Sequence, residues 1–232
     1  MIVRVVTRIT ILIHLLLSGC QLIPTTKSDL VAQQVRPLLN LADVHIDRGD
    51  LTEALPLVIQ AQTIAPKSES VLLKRAQILA LQGDSDHARA IFQKLDQDSP
   101  KVSLAYARFL NQVGDVDQAF VMIAVACDAI DFPNRFDALR FRATLAIQRN
   151  DLEQAANDLK KLSRMRSSDS EIRLMQIQVA LKRGEIQSAL AMYGALTDFE
   201  RTMTEADAIR GELERLANQL QIVGRDFGTY DF

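Results

Sequence analysis

A glycine or asparagine followed five residues later by an alanine recurs along the chain, and this recurrence constrains the fold more than any other feature. Successive turn residues are separated by 34, 31, 36 and 34 residues. Because Gly, and less readily Asn, adopts positive φ at low cost, each turn residue is predicted to end a helix. The period is typical of stacked helical hairpins. The turn residues and their alanines are Gly49 and Ala54, Gly83 and Ala88, Gly114 and Ala119, Asn150 and Ala155, and Gly184 and Ala189.

Composition agrees with an all-helical protein. The 232 residues include nine Gly, six Pro, three Tyr and no Trp, which favours long helices over twisted sheet. The 27 basic and 29 acidic side chains give a net charge of −2. This balance lacks the positive excess that binds a phosphate backbone, so nucleic acid is not an expected partner.

Small residues precede the turns, and large residues occupy a fixed position in the helix after each turn. With the turn pattern, these residues resemble the tetratricopeptide repeat. The resemblance implies an all-α solenoid of about five helical hairpins, at residues 35–68, 69–99, 100–133, 136–169 and 170–201. The small positions are Ala42, Ala76, Ala107 and Ala143, with Ile177 in the fifth repeat, and the large ones are Val58, Phe92, Ile123, Leu159 and Tyr193.

An acidic residue follows each turn residue, and a further helix is predicted after the last repeat. Acidic side chains at these positions face the free N–H groups at the start of the second helices. Ala206, Ile209 and Leu213 recur at helical spacing. We therefore expect a capping helix over residues 202–222 and a frayed tail over 223–232. The acidic residues are Asp50, Asp84, Asp115, Asp151 and Glu185.

The first twenty residues have the pattern of an export signal. Arg4 and Arg8 precede a nine-residue stretch that is apolar apart from Thr10 and His14 and is too short to span a bilayer. The segment ends in Leu-Ser-Gly-Cys, which resembles the lipobox of bacterial lipoproteins. That resemblance implies removal of residues 1–19 and attachment of fatty acyl chains such as palmitate to Cys20. An ordinary signal peptide with a chance cysteine is the alternative.

Residues 20–34 are predicted to be the lipidated cysteine and a tether. Residue 21 is Gln rather than Asp. By resemblance to lipoprotein sorting in enteric bacteria, this favours the outer membrane, with the protein facing the periplasm.

In tetratricopeptide repeats the first helices line a concave groove, and the resemblance assigns this chain a mixed apolar and charged lining. Lys101, Arg108 and Arg140 near its middle would suit an extended or helical peptide with an acidic group. The alternative is that these are tolerated solvent-facing side chains. The full predicted lining is Arg36, Leu39, Asp43, Ile46, Leu73, Gln77, Lys101, Leu104, Arg108, Asn111, Arg140, Thr144, Ile147, Leu174, Gln178 and Leu181.

The second helix of repeat three carries apolar residues at positions that normally face outward. They are Phe120, Val121, Ala124 and Val125. A soluble monomer seldom leaves such a cluster bare, so these residues are a candidate contact surface for a partner subunit or a second copy. Alternatively, the irregular spacings around repeat three rotate this helix inward.

No catalytic or metal-binding motif is present in the sequence. Phosphate-loop, zinc and nucleophile-elbow patterns are missing, and we expect no enzymatic activity, metal or other cofactor. His45 is predicted to be packed between helices and His87 to face solvent. Cys127 is predicted to be a small buried residue rather than a reactive thiol.

Within repeats three and four the sequence is similar to the pilotin lipoproteins of type IV pilus systems, also called pilus biogenesis and stability lipoproteins. That family usually has a sixth repeat, where this chain has one helix. The resemblance implies binding of a secretin subunit and assistance to type IV pilus assembly. The alternative is a scaffold for another envelope complex, such as a tight-adherence pilus, outer-membrane assembly or a peptidoglycan enzyme complex. The similar residues are Tyr106, Phe109, Leu110, Gly114, Ala119, Ala126, Phe132, Pro133, Asn134, Arg135 and Ala155.

Overall fold

The structure is a computed structural model, and it describes residues 27–219. The predicted signal peptide, Cys20, and the tail lie outside the described residues. Within the described range every regular element is a helix, which confirms the all-α prediction. The helices are α1 Lys27–Asp47, α2 Leu51–Ile64, α3 Glu69–Leu81, α4 Ser85–Phe92, α5 Pro100–Gln112, α6 Val116–Met122, α7 Ala124–Asp128, α8 Arg135–Gln148, α9 Leu152–Met165, α10 Ser170–Lys182, α11 Ile186–Gly194, α12 Asp198–Arg201 and α13 Thr204–Gln219.

The chain divides into two compact units, residues 1–84 and 85–232. In the first unit, α1 packs against α2 and α2 against α3. Its core is apolar and contains three alanines, Ala42, Ala54 and Ala61, with no exposed surface. Small side chains at these positions let the helices approach closely. The core residues are Val35, Ala42, Ala54, Val58, Ala61, Val71 and Ile78.

All five predicted turn residues adopt positive φ. The four glycines have φ between 74° and 85°, and Asn150 has φ of 58°. At the first turn the N–H of Gly49 donates to the carbonyl of Ile46 at 2.9 Å, and the N–H of Asp50 donates to that of His45 at 2.8 Å. This pair of bonds is the Schellman motif, which satisfies carbonyls at the helix end. The prediction that these residues end helices is confirmed.

The acidic residues after the turns lie at the starts of the second helices. The Asp115 carboxylate accepts a hydrogen bond from the N–H of Gln118 at 3.3 Å, and that of Asp151 accepts one from Gln154 at 3.1 Å. Asp50 occupies the same cap position without such a bond. Side-chain capping therefore reinforces the second helices that begin after Asp115 and Asp151.

Helix α1 begins at Lys27, eight residues before the predicted start of the first repeat. Residues 27–34, which were predicted to belong to the tether, are therefore helical. The helix extends further back because Val31, Val35, Leu38 and Ala42 fall on one face, and all four contribute to or pack against the first unit's core. Burial of this face stabilises the additional helical turns.

The second helix of repeat three is interrupted at Ile123, between α6 and α7. Ser103 of α5 lies at the interruption and is fully buried. Its hydroxyl donates to the carbonyl of Met122 at 2.5 Å and accepts from the N–H of Ala126 at 3.3 Å. The hydroxyl thus replaces the direct hydrogen bond that a continuous helix would form between residues 126 and 122.

The segment that joins repeats three and four is held by Arg135. Its Nε donates to the carbonyl of Cys127, near the end of α7, at 2.8 Å. Carbonyls in the last turn of a helix have no partner within the helix, so this bond satisfies one of them. Arg135 belongs to the Phe-Pro-Asn-Arg element singled out in the sequence, and its observed role is to fix this connection.

A candidate partner-binding groove in the second unit

A groove of about 780 Å³ lies between α8, α10 and α13. Its floor is formed mainly by aliphatic and methionine side chains, and charged residues lie among them. Met175 and Met203 are flexible and polarizable, which suits a surface that adapts to a bound chain. The lining residues are Thr144, Ile147, Gln148, Glu171, Leu174, Met175, Gln178, Leu181, Lys182, Met203, Glu205, Ala208, Ile209 and Glu212.

Part of the predicted concave lining meets in this groove. From α8 come Thr144 and Ile147, and from α10 come Leu174, Gln178 and Leu181. These residues were assigned to the lining by the resemblance to tetratricopeptide repeats, in which fixed positions of the first helices face the groove. Within α10 the span from Glu171 to Lys182 rises about 16 Å, which matches about three turns of a bound helix.

The third wall, α13, was predicted only as a cap. Its buried residues Ala206, Ile209 and Leu213 join the core formed with α10 and α11, as the helical spacing indicated. The groove-lining Met203, Glu205 and Glu212 were missed by the sequence analysis. Their position on the face beside the buried stripe was the available signal.

A buried carboxylate fixes the segment that leads into α13. Glu200 of α12 is 1% exposed, and one of its oxygens lies 2.7 Å from Nη2 of Arg173 on α10. The other oxygen accepts from the backbone N–H and the hydroxyl of Thr197, at 2.8 and 2.7 Å. The bonds attach α12, and hence the start of α13, to α10.

The environment of Glu200 favours its ionised form. Burial opposes ionisation, but hydrogen bonds from Thr197 and Ser170 together with the charge of Arg173 outweigh it, so the pKa of Glu200 lies below its ordinary value of 4.5. The pair is therefore charged at neutral pH.

The predicted positive charge of the groove is partly neutralised. Arg140 forms ion pairs with Glu171, in the groove, and with Asp137 on its own helix. The expectation of an acidic partner group at Arg140 is therefore not supported by the geometry. Lys101 and Arg108, both exposed on α5, do not line the groove.

Two other predicted lining residues are buried. Leu73 is 2% exposed and Leu104 is 4% exposed. Both side chains are used in packing, because the first helices bury more than one face. Asn111, the remaining predicted residue of α5, also lies outside the groove.

In the first unit, Asp43 of α1 and Lys74 of α3 form an ion pair. Leu39, Ile46 and Gln77 are half-buried, and Arg36 is exposed. Since Asp43 already has a cationic partner, it offers less charge to a ligand than the sequence alone suggested.

The outer face of repeat three is less bare than its sequence suggested. Val121 is 72% exposed, whereas Phe120, Ala124 and Val125 are half-buried. The guanidinium of Arg149 lies 4.3 Å from the centre of the Phe120 ring and forms an ion pair with Asp117 at 2.8 Å. Arg149 thus covers the largest side chain of this cluster by a cation–π contact.

The residues considered for chemistry have structural environments. Cys127 is 1% exposed, and burial raises its pKa to about 12, which confirms the prediction of a buried residue. His45 is half-buried, with its Nδ1 3.9 Å from a carboxylate oxygen of Asp50, and His87 is exposed. Among residues 27–219 there is no group of three or more His, Cys, Asp or Glu that could hold a metal ion.

None of the helices described here combines the length and apolar character needed to cross a bilayer.

Comparison with known proteins places the fold among helical repeats. The chain is similar to Pseudomonas aeruginosa PilF, with 16% identity and a TM-score of 0.65 over 83% of this chain and 94% of that one. It is also similar to PilW, described as a widely conserved type IV pilus biogenesis factor, with 16% identity and a TM-score of 0.62 over 86% and 96% of the two chains. A tetratricopeptide repeat protein from Parabacteroides merdae ATCC 43184 has 17% identity and a TM-score of 0.63, over 86% and 81%.

No curated protein matches this chain in sequence. A family model of the tetratricopeptide repeat matches residues 39–103 and 142–200, which together make up more than half of the 232 residues. The matched residues include the hairpin turns at Gly49, Gly83, Asn150 and Gly184, all with positive φ. The chain therefore belongs to the tetratricopeptide repeat family.

Proposed function

We propose that this protein is a non-catalytic lipoprotein of the bacterial outer membrane whose groove between α8, α10 and α13 binds a secretin subunit and thereby assists type IV pilus assembly. The observation that supports this proposal most directly is the groove itself. Predicted lining residues of α8 and α10 form two of its walls, and α13 forms the third. Tetratricopeptide repeat domains typically bind protein partners, and the match indicates no enzyme family.

The secretin assignment is supported by two likenesses. The fold is similar to PilF and to PilW, and the second of these is described as a type IV pilus biogenesis factor. Residues 106–135 also carry the pattern that resembles pilotin lipoproteins.

Acylation of Cys20 would keep the repeats close to the membrane. Seven residue steps separate Cys20 from Lys27, the first described residue of α1. Whatever its conformation, this length of chain spans at most about 25 Å. A partner captured in the groove would then be held at high effective concentration near the bilayer where a secretin assembles.

The groove can be blocked without altering the core. Gln178 is exposed and lines the groove, so Gln178→Trp fills it with a bulky ring. Gln187→Trp is the matched control, because Gln187 is exposed on α11 and does not line the groove. Each variant is expressed as the full chain in a deletion strain, and the detergent-solubilised envelope is used for a pull-down.

We expect wild-type protein and Gln187→Trp to recover the secretin and restore pili, and Gln178→Trp to lose both while keeping the wild-type thermal unfolding midpoint. Normal pili in the deletion strain, with no secretin recovered, would refute the pilus assignment. Recovery of a different envelope complex that also depends on Gln178 would support the alternative scaffold function in its place.

A further inference from the structure

We propose that the exposed apolar stripe of α1 rests on the surface of the lipid bilayer. The stripe consists of Leu30, Pro37, Leu41 and Val44. The leucines are 50% and 47% exposed, and Val44 is 41% exposed. Spacings of seven, four and three residues place these side chains on one line along the helix. The four residues therefore form a continuous apolar edge.

The stripe is not needed for the core of the first unit. Val35 and Ala42, on a different face of α1, are 5% and 0% exposed and belong to the apolar core with α2 and α3. One face of α1 is therefore already packed by protein. The stripe is a second apolar face of the same helix, and the described residues do not cover it.

The last described helix has a different exposed face. On α13, Arg210 pairs with Asp207 at 3.0 Å and with Glu214 at 4.0 Å, and the buried stripe lies elsewhere on the helix. Terminal helices of repeat proteins generally carry such a polar outer face, because no further repeat covers it. Since α1 exposes apolar residues instead, its face is expected to have an occupant.

The position of the stripe in the chain points to lipid as the occupant, and this step rests on the proposed acylation of Cys20. Cys20 lies seven residues before the start of α1 and ten residues before Leu30. An acyl chain at Cys20 would hold the start of α1 within about 25 Å of the headgroups. Arg48 follows Val44 by four residues, so a cation adjoins the stripe where it could meet lipid phosphates.

The contact would orient the protein rather than anchor it. Four apolar side chains supply modest affinity, but the tether makes their insertion an intramolecular event. The acyl chains would therefore determine whether the protein is on the membrane, and the stripe would determine which side of the first unit faces the lipid.

A fluorophore on single introduced cysteines tests this contact in the acylated full chain. Cys127 is buried and Cys20 is acylated in the proposed form, so the label reacts with the introduced thiol. Val44→Cys reports on the stripe, and Asp47→Cys is the control, because Asp47 is exposed and lies about 90° around α1 from the centre of the stripe and about 60° from Val44. The protein is inserted into vesicles of phosphatidylethanolamine and phosphatidylglycerol that carry nitroxide-labelled lipid.

We expect severalfold stronger quenching at position 44 than at position 47. A label at Leu30→Cys should lose most of its quenching when Leu41→Gln and Val44→Gln are added, with flotation on the vesicles unchanged. Equal, weak quenching at both positions in protein that floats would overturn the stripe contact. A dimer mass in detergent, with the label at position 44 shielded there as well, would also overturn it in favour of a second copy.

Flotation separates this inference from the proposed function. Protein that fails to float lacks the acyl anchor, so the proposed lipoprotein function and the stripe contact that rests on it both fail. Protein that floats but shows no preferential quenching leaves the secretin proposal intact and removes only the stripe contact.

Discussion

Arg142 and Asp158 face each other between α8 and α9 and form two hydrogen bonds inside the protein. The bonds join Nε to Oδ2 at 2.7 Å and Nη2 to Oδ1 at 2.8 Å. Asp158 has no exposed surface, and Arg142 is 8% exposed. The guanidinium therefore supplies both charge and hydrogen bonds to a carboxylate that water does not reach.

Breaking this pair should destabilise the fourth repeat strongly. Asp158→Ala leaves the arginine buried without its partner, and we expect the free energy of unfolding to fall by about 3 to 5 kcal/mol. Urea denaturation monitored by circular dichroism measures the change. The double variant Arg142→Met, Asp158→Leu should recover most of the loss. A double variant as unstable as the single one would contradict this account of the pair.

Asn150 should tolerate Gly and reject a β-branched residue. At φ of 58° a side chain branched at Cβ is strained, so Asn150→Val should lower the free energy of unfolding by about 1 to 2 kcal/mol. Asn150→Gly should leave it nearly unchanged. Asn157→Val, at an exposed position within α9, controls for helix propensity, and an equal loss there would argue against the turn geometry.

The Cys127 thiol should be unreactive in the folded protein. Burial is the main cause of its raised pKa of about 12, with Asp158 and Asp128 adding to the rise and Arg142 and Lys161 opposing it. Because the thiolate is the reacting form, a disulfide reagent at mildly alkaline pH should label Cys127 only after unfolding. Gln187→Cys should react at once under the same conditions. Rapid reaction of Cys127 in the native protein would contradict its burial.

Acid should weaken the attachment of α12 to α10. The pKa of Glu200 is lower in the folded protein than its ordinary value of 4.5. Its contribution to stability is therefore complete above about pH 4.5 and is lost as the pH falls through the folded-state pKa. Measured by urea titrations at several pH values, Glu200→Gln should reduce this acid dependence. An unchanged dependence would assign the effect to other carboxylates.

The hairpin turns could be predicted from local stereochemistry, whereas contacts between side chains far apart in the chain could not be predicted from the sequence. Gly114 and Asn150 were identifiable because a helix end with positive φ admits few residue types. The pairing of Arg142 with Asp158 and the contact of Ser103 with the α6–α7 interruption depend on residues far apart in sequence. Periodicity alone carries no signal for such partners.

The candidate groove was predictable only in part for the same reason. Leu174 and Gln178 were predicted to line the groove because of their positions in the repeat. The wall from α13 was not predicted, because α13 lies outside the repeat pattern. The sequence shows Arg140 but not its ion pair with Glu171, so the charge that Arg140 offers to a ligand could not be predicted.

A photo-crosslinking amino acid placed in the groove tests the central claim most directly. The crosslinker is incorporated at position 178 in the full chain, and the same amino acid at position 187 is the control for exposure. After irradiation of living cells, the account predicts a covalent adduct with the secretin from position 178 and none from position 187. Secretin adducts from position 187 but not from position 178 would show that the partner binds elsewhere and would contradict the groove assignment.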